Sequence, residues 1–89
     1  MTGSQLQSKV RKLLIKRGAH VINTTVVTPT GTSDLIVCYQ SKFIAIEIKG
    51  DGDTLKPIQA YQQTQVKKAG GYTIVATSLI QVERFLDNL

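Results

Sequence analysis

Asp34, Glu47 and Lys49 are the residues of this sequence whose types and spacing could do chemistry together. Between the two acids lie two apolar, β-branched segments, 35–39 and 43–48, separated by the polar pair Gln40-Ser41. That pattern reads as strand, tight turn, strand. With the turn centred on Gln40-Ser41, Tyr39 faces Lys42, Val37 faces Ile44, and Asp34 faces Glu47. Directly opposed residues on one face of a ladder lie about 4.5–5.5 Å apart between Cβ atoms. Lys49 follows Glu47 by two positions and points to the same side. Two opposed acids repel and weaken the ladder. A cation between them removes that cost.

The elements that must position these groups can be read along the chain. Ser4-x-x-Gln7 forms a capping box, followed by Leu6, Val10, Leu13 and Leu14 at helical spacing and by Gly18 as a stop. Residues 20–28 are rich in Val, Ile and Thr and read as a first strand, ended by Pro29 and Gly31. The hairpin of the opening motif follows, then a turn at 50–53 in which Asp51 and Asp53 are expected as turn formers. Pro57 suits the first turn of a second helix. Ile58, Tyr61, Gln62, Gln65, Val66 and Ala69 would share its inner face, with Tyr61 in the core, and Gly70-Gly71 ends it. Residues 72–77 form a short apolar strand, as expected of one covered on both faces. Ser78-x-x-Gln81 caps a last amphipathic helix. The order α-β-β-β-α-β-α predicts an α/β fold: a four-stranded mixed sheet flanked by helices, its last strand reached by a helical crossover.

The chain of 89 residues is expected to form a single domain, 1–89, with a modest core. A formal net charge of +5 and an isoelectric point near 9.6 point to a polyanionic partner. The single cysteine, Cys38, leaves no partner for an intramolecular disulfide and is expected in the core. No apolar run approaches the ~20 residues needed to cross a bilayer, and no signal pattern is evident. A soluble, intracellular protein is the expectation.

Asp34 followed by Glu47-x-Lys49, in an α-β-β-β-α-β order, resembles the PD-(D/E)xK nuclease superfamily. Gly31-x-x-Asp34, the apolar run into Glu47-Ile-Lys49, and Leu55-x-x-x-Gln59 before a helix ending in Gly70-Gly71 resemble the virus-type replication-repair nuclease (VRR-Nuc) family. The likeness covers residues 4–80. It implies a restriction-endonuclease-like core with an extra C-terminal helix. It further implies that Asp34 and Glu47 bind the metal, with the backbone carbonyl of Ile48 as a further ligand. Lys49 is similar to the catalytic lysine and Gln59 to the glutamine that supports the site from the next helix. Stand-alone members of this size are typical of phages and act as homodimers on branched DNA. Two departures stand out. Ser33 occupies the position before the acid, where the family has proline. Gln7 stands where the first helix often carries a glutamate, and would reach the metal through water.

This donor set suits Mg²⁺ or Mn²⁺. Such an ion polarises a phosphate oxygen and acidifies water, while Lys49 would position or deprotonate the attacking water or neutralise developing charge. Two firm carboxylates favour one well-held ion per site, with a second near Asp51 or Asp53 as the alternative. The outer face of the first helix carries Lys9, Arg11, Lys12 and Lys16; Lys9, Lys12 and Lys16, with Lys56, are the candidate phosphate contacts. The leading expectation is a metal-dependent, structure-selective DNA endonuclease acting on four-way (Holliday) junctions or flaps in replication, repair or recombination. The alternative, motivated by Gln7, is a DNA-binding or assembly module that has lost activity. An RNA-directed nuclease is a third reading.

Overall fold

The computed structural model describes residues 1–24 and 30–89. Among these, the elements run α1 (Gly3–Lys16), β1 (His20–Asn23), β2 (Leu35–Tyr39), β3 (Lys42–Ile48), α2 (Pro57–Lys68), β4 (Tyr72–Ala76) and α3 (Leu79–Asp87). This is the order read from the sequence. The first strand was expected over 20–28; β1 ends at Asn23, and residues 25–28, with the terminating Pro29, lie outside the described residues.

Helix α1 starts earlier than its Ser4-Gln7 box implies. Thr2 is the N-cap: its Oγ1 accepts the Gln5 N–H at 3.1 Å, and Gln5 Oε1 accepts the Thr2 N–H at 2.9 Å. Two S/T-x-x-Q frames overlap here, and a tertiary contact selects the first. Gly50 packs so closely on this first turn that a Cβ on it would lie 2.3 Å from the Gly3 nitrogen. The early start leaves Gln7 free of capping. At α3, Ser78 Oγ accepts the Gln81 N–H as expected, but Gln81 Oε1 reaches past Ser78 to the Thr77 N–H at 2.7 Å.

The sheet has the order β1-β2-β3-β4, with β1–β2 and β2–β3 antiparallel and β3–β4 parallel. Gln40 and Ser41 form the β2–β3 turn with φ of 49° and 64°, the pair of positive values that a tight hairpin of matching twist demands. The register is the expected one, with Tyr39 opposite Lys42 and Val37 opposite Ile44. The ladder's last pair is Leu35 with Ile46, so Asp34 and Glu47 stand one step beyond it.

Strand alternation separates two environments. Leu35, Val37, Ile44, Ile46 and Ile48 bury one face against Leu6, Val10 and Leu14 of α1 and Val82 and Leu86 of α3. Ala45, Glu47 and Lys49 point to the other face, under α2. Inward alternation on β2 takes Leu35, Val37 and Tyr39, which leaves Cys38 exposed rather than in the core. Strand β4 is packed by both α2 and α3, yet as the sheet edge it keeps Tyr72 exposed and Ile74 half-buried. Helix α2 keeps Gln62, Gln65 and Val66 of its expected inner face half-buried but leaves Ile58, Tyr61 and Ala69 exposed. Its buried residue is Gln63, which donates Nε2–H to the Ile74 carbonyl at 3.3 Å, whereas Ile58 and Tyr61 are 43% and 56% exposed. The helix packs through amide hydrogen bonds, which carry no hydrophobic signature.

Candidate active site

Asp34 lies in the loop entering β2, and Glu47 and Lys49 at the end of β3, at one end of the sheet. Asp34 is half-buried, and its Oδ2 accepts the Ile48 N–H at 2.8 Å. That bond continues the β2–β3 pairing with a side chain where the ladder stops. It fixes Asp34 across from Glu47, as the register predicted.

Glu47 is 1% exposed, and neither carboxylate oxygen has a hydrogen-bond partner. Burial pushes its carboxyl from an ordinary 4.5 up to about 8. Desolvation is the largest cause, and the Asp34 carboxyl is the next; the Lys49 ammonium pulls the other way. Asp34 raises the Glu47 pKa by favouring the protonated form, which can share a hydrogen bond with the Asp34 carboxylate, and then by charge repulsion. A buried carboxylate without partners is costly unless something compensates it.

Lys49 is also buried, and its Nζ donates to Gln59 Oε1 at 2.9 Å. The same oxygen accepts the Lys56 N–H at 2.9 Å, at the start of α2. Gln59 thus does two things with one atom: it closes the first turn of α2, and it holds the lysine amine. The Gln59 expected to support the site does contact its lysine.

The loop carrying Asp34 is clamped from both sides. Thr24 Oγ1 donates to the Ser33 carbonyl at 2.6 Å, and the Asp34 carbonyl accepts the Thr24 N–H at 2.9 Å. The backbone restraint that a proline would bring at Ser33 comes here from Thr24. On the other side Gly31, at φ 86°, meets the first turn of α2, where an added Cβ would lie 2.8 Å from the Ile58 carbonyl oxygen. Gln62 donates Nε2–H to the Thr30 carbonyl at 3.3 Å. Both the left-handed φ and this close approach require glycine at 31.

Gln7 lines a groove with Ser4, Ser8, Arg11 and Asn23. Lys9, Lys12, Lys16 and Lys56 are exposed. Asp53 Oδ2 accepts the Gly50 N–H at 3.1 Å, and Asp51 pairs with the terminal amine of Met1, so both serve the turn at 50–53. Among the described residues, no group of three or more His, Cys, Asp or Glu side chains is placed to hold a metal ion. The acids at the site are therefore Asp34 and Glu47.

No protein-family profile matches the sequence, and no curated protein matches it. A search of solved structures does find a likeness, to a structure described as a VRR_NUC domain. The TM-score is 0.81 over 98% of this chain and 97% of the other, at 20% sequence identity. This chain has the VRR_NUC domain fold. The sequence expectation of an α/β fold with a four-stranded mixed sheet and a third, C-terminal helix is met.

Two buried, unpartnered oxygens facing a second carboxylate suit a hard divalent cation, so the residues present fit Mg²⁺ or Mn²⁺. Mg²⁺ is commonly held by one or two carboxylates with water and substrate phosphate completing its shell, which matches a pair of acids rather than a cage. Sequence reasoning missed Thr24. Thr24 stands one residue beyond β1, where only the β1–β2 register places it beside Asp34. Among the described residues, no helix is long and apolar enough to cross a membrane.

Proposed function

We propose that this chain is a nuclease of the VRR-Nuc type, hydrolysing phosphodiester bonds of DNA with Mg²⁺ or Mn²⁺. The observation that carries this reading is the buried Glu47 carboxylate, without a partner, opposite Asp34 and beside a lysine held by Gln59. A divalent cation held by Asp34, Glu47 and the Ile48 carbonyl would polarise the scissile phosphate and acidify a water. Asp34 keeps its orientation through the Ile48 N–H. Lys49 presents an ammonium at a fixed position, able to orient the attacking water or offset charge on the phosphoryl oxygens. Gln59 restrains that ammonium without removing its charge. A dead binding module would gain nothing from two opposed acids that weaken the sheet.

The substrate we infer is branched intracellular DNA, such as four-way junctions or flaps. A chain of this size has little surface for reading bases, so shape and charge must select the target. A homodimer would present two sites related by symmetry, suited to paired cuts. An apolar depression of about 660 Å³, lined in part by Phe43, Val66 and Tyr72 at the end of the sheet away from the acids, offers a surface for pairing.

The test is incubation with linear duplex, splayed, flapped and four-way-junction DNA in Mg²⁺, Mn²⁺ or EDTA. Cleavage that needs metal and favours branched substrates is expected. Intact DNA under every condition would leave the inactive binding module as the better reading. Cleavage of RNA in preference to DNA would overturn the substrate assignment.

A further inference from the structure

Helix α1 presents three faces. Leu6, Val10 and Leu14 bury one against the sheet. Lys9, Lys12 and Lys16 form an outward face. Ser4, Gln7, Ser8 and Arg11 form the third, which lines a groove of about 390 Å³ together with Asn23 of β1. At 3.6 residues per turn, the three lysines lie about 100–160° around the helix from Arg11. The charged residue in the groove is therefore Arg11, and the lysines look elsewhere.

Both walls of this groove are joined through the chain to segments that hold the site. Ser4 follows Gly3, whose nitrogen is packed against Gly50, the residue after Lys49. Asn23 precedes Thr24, whose N–H and hydroxyl hold the carbonyls of Asp34 and Ser33. The lining residues supply hydroxyl and amide donors and one guanidinium, with no carboxylate. Hydroxyls, amides and arginine are the groups that contact phosphate and sugar without reading bases.

We propose that the α1–β1 groove binds the phosphodiester backbone of the nucleic acid flanking the cut, with Arg11 as the principal phosphate contact and Gln7 and Asn23 as neutral donors. This rests on the nuclease reading and adds where the strand lies. Ser4 and Arg11 are seven positions apart, which is about 10 Å along a helix. A strand rises about 3.4 Å per phosphate along the duplex axis and its backbone path is longer, so the groove accommodates at most roughly three nucleotides. Gln7 then has a role that does not require it to be an acid: a glutamate there would repel the backbone that a glutamine can donate to.

The experiment is fluorescence anisotropy of labelled four-way-junction and duplex DNA with the full chain. Binding is measured in EDTA and again in Ca²⁺ across a salt series, and cleavage in Mg²⁺ is measured separately. Arg11→Ala should weaken binding by about fivefold to tenfold and reduce the slope of log K against log salt by about one. Arg11→Lys should recover the slope. Asn23→Asp, which puts a carboxylate in the groove, should weaken binding comparably, and Lys68→Ala at the far end of α2 should leave affinity and slope at wild-type values. Circular dichroism confirms that each variant is folded. Wild-type affinity and slope in both Arg11→Ala and Asn23→Asp would overturn the groove assignment, leaving the nuclease reading intact if the wild type cuts DNA. A wild type that neither binds nor cuts DNA would overturn both.

Discussion

Replacing Glu47 by glutamine removes a buried carboxyl without hydrogen-bond partners, and its effect can be worked out from the site. The Glu47 carboxyl titrates at an ordinary 4.5 in the unfolded chain and near 8 when folded. Below the lower value both states carry the proton. Between the two, the folded state holds a proton that the unfolded state has released. Stability therefore falls as pH rises through this window, and it levels off above pH 8. A shift of that size corresponds to about 5 kcal/mol at its full extent. Rotation of the carboxylate towards water relieves part of it, so a loss of about 2–5 kcal/mol is expected. Against a total of about 5–15 kcal/mol for a small domain, this is large. The assay is urea unfolding in EDTA at pH 5 and pH 8.5. Wild type should be clearly less stable at pH 8.5. Glu47→Gln should match it within about 1 kcal/mol at pH 5 and exceed it by about 2–5 kcal/mol at pH 8.5. Its melting temperature there should rise by about 10 °C or more. Mg²⁺ or Mn²⁺ should restore stability to the wild type at pH 8.5 and leave the variant unchanged. Equal stability of the two proteins at pH 8.5 without metal would refute the reasoning.

Other consequences are independent of that titration. Thr24→Val keeps the shape of Thr24 and removes the hydroxyl that holds the Ser33 carbonyl; it should weaken Mn²⁺ binding measured by calorimetry, and Thr24→Ser should restore it. Gly31→Ala places a Cβ against the Ile58 carbonyl at a left-handed φ, so urea unfolding should show a loss of about 2–3 kcal/mol. Ser41→Gly removes a side chain from a residue at φ 64° and should stabilise the hairpin by about 1 kcal/mol in the same assay.

How much could be read from the sequence depends on where the signal resides. The β2–β3 register was legible because Gln40-Ser41 interrupts two β-branched runs, and the register alone placed Asp34 against Glu47. Lys49 followed from strand alternation. The orientation of α2 was legible only in part, because Gln59 and Gln63 turn inward to make hydrogen bonds while Ile58 and Tyr61 stay exposed. The start of α1 depended on Gly3 meeting Gly50, a contact between residues far apart in sequence. Thr24 was invisible for the same reason: its partners lie across a loop whose path the sequence does not specify. Cys38 was misplaced because an apolar strand gives no sign of which alternate positions face outward.

The most direct test is a calorimetric Mn²⁺ titration of wild type, Asp34→Asn and Glu47→Gln at neutral pH. A binding event in the wild type that both variants lose is the expected result, since each contributes one of the two acids at the site. Undiminished binding in either variant, or none in the wild type, would contradict the claim that Asp34 and Glu47 are held together to share a cation.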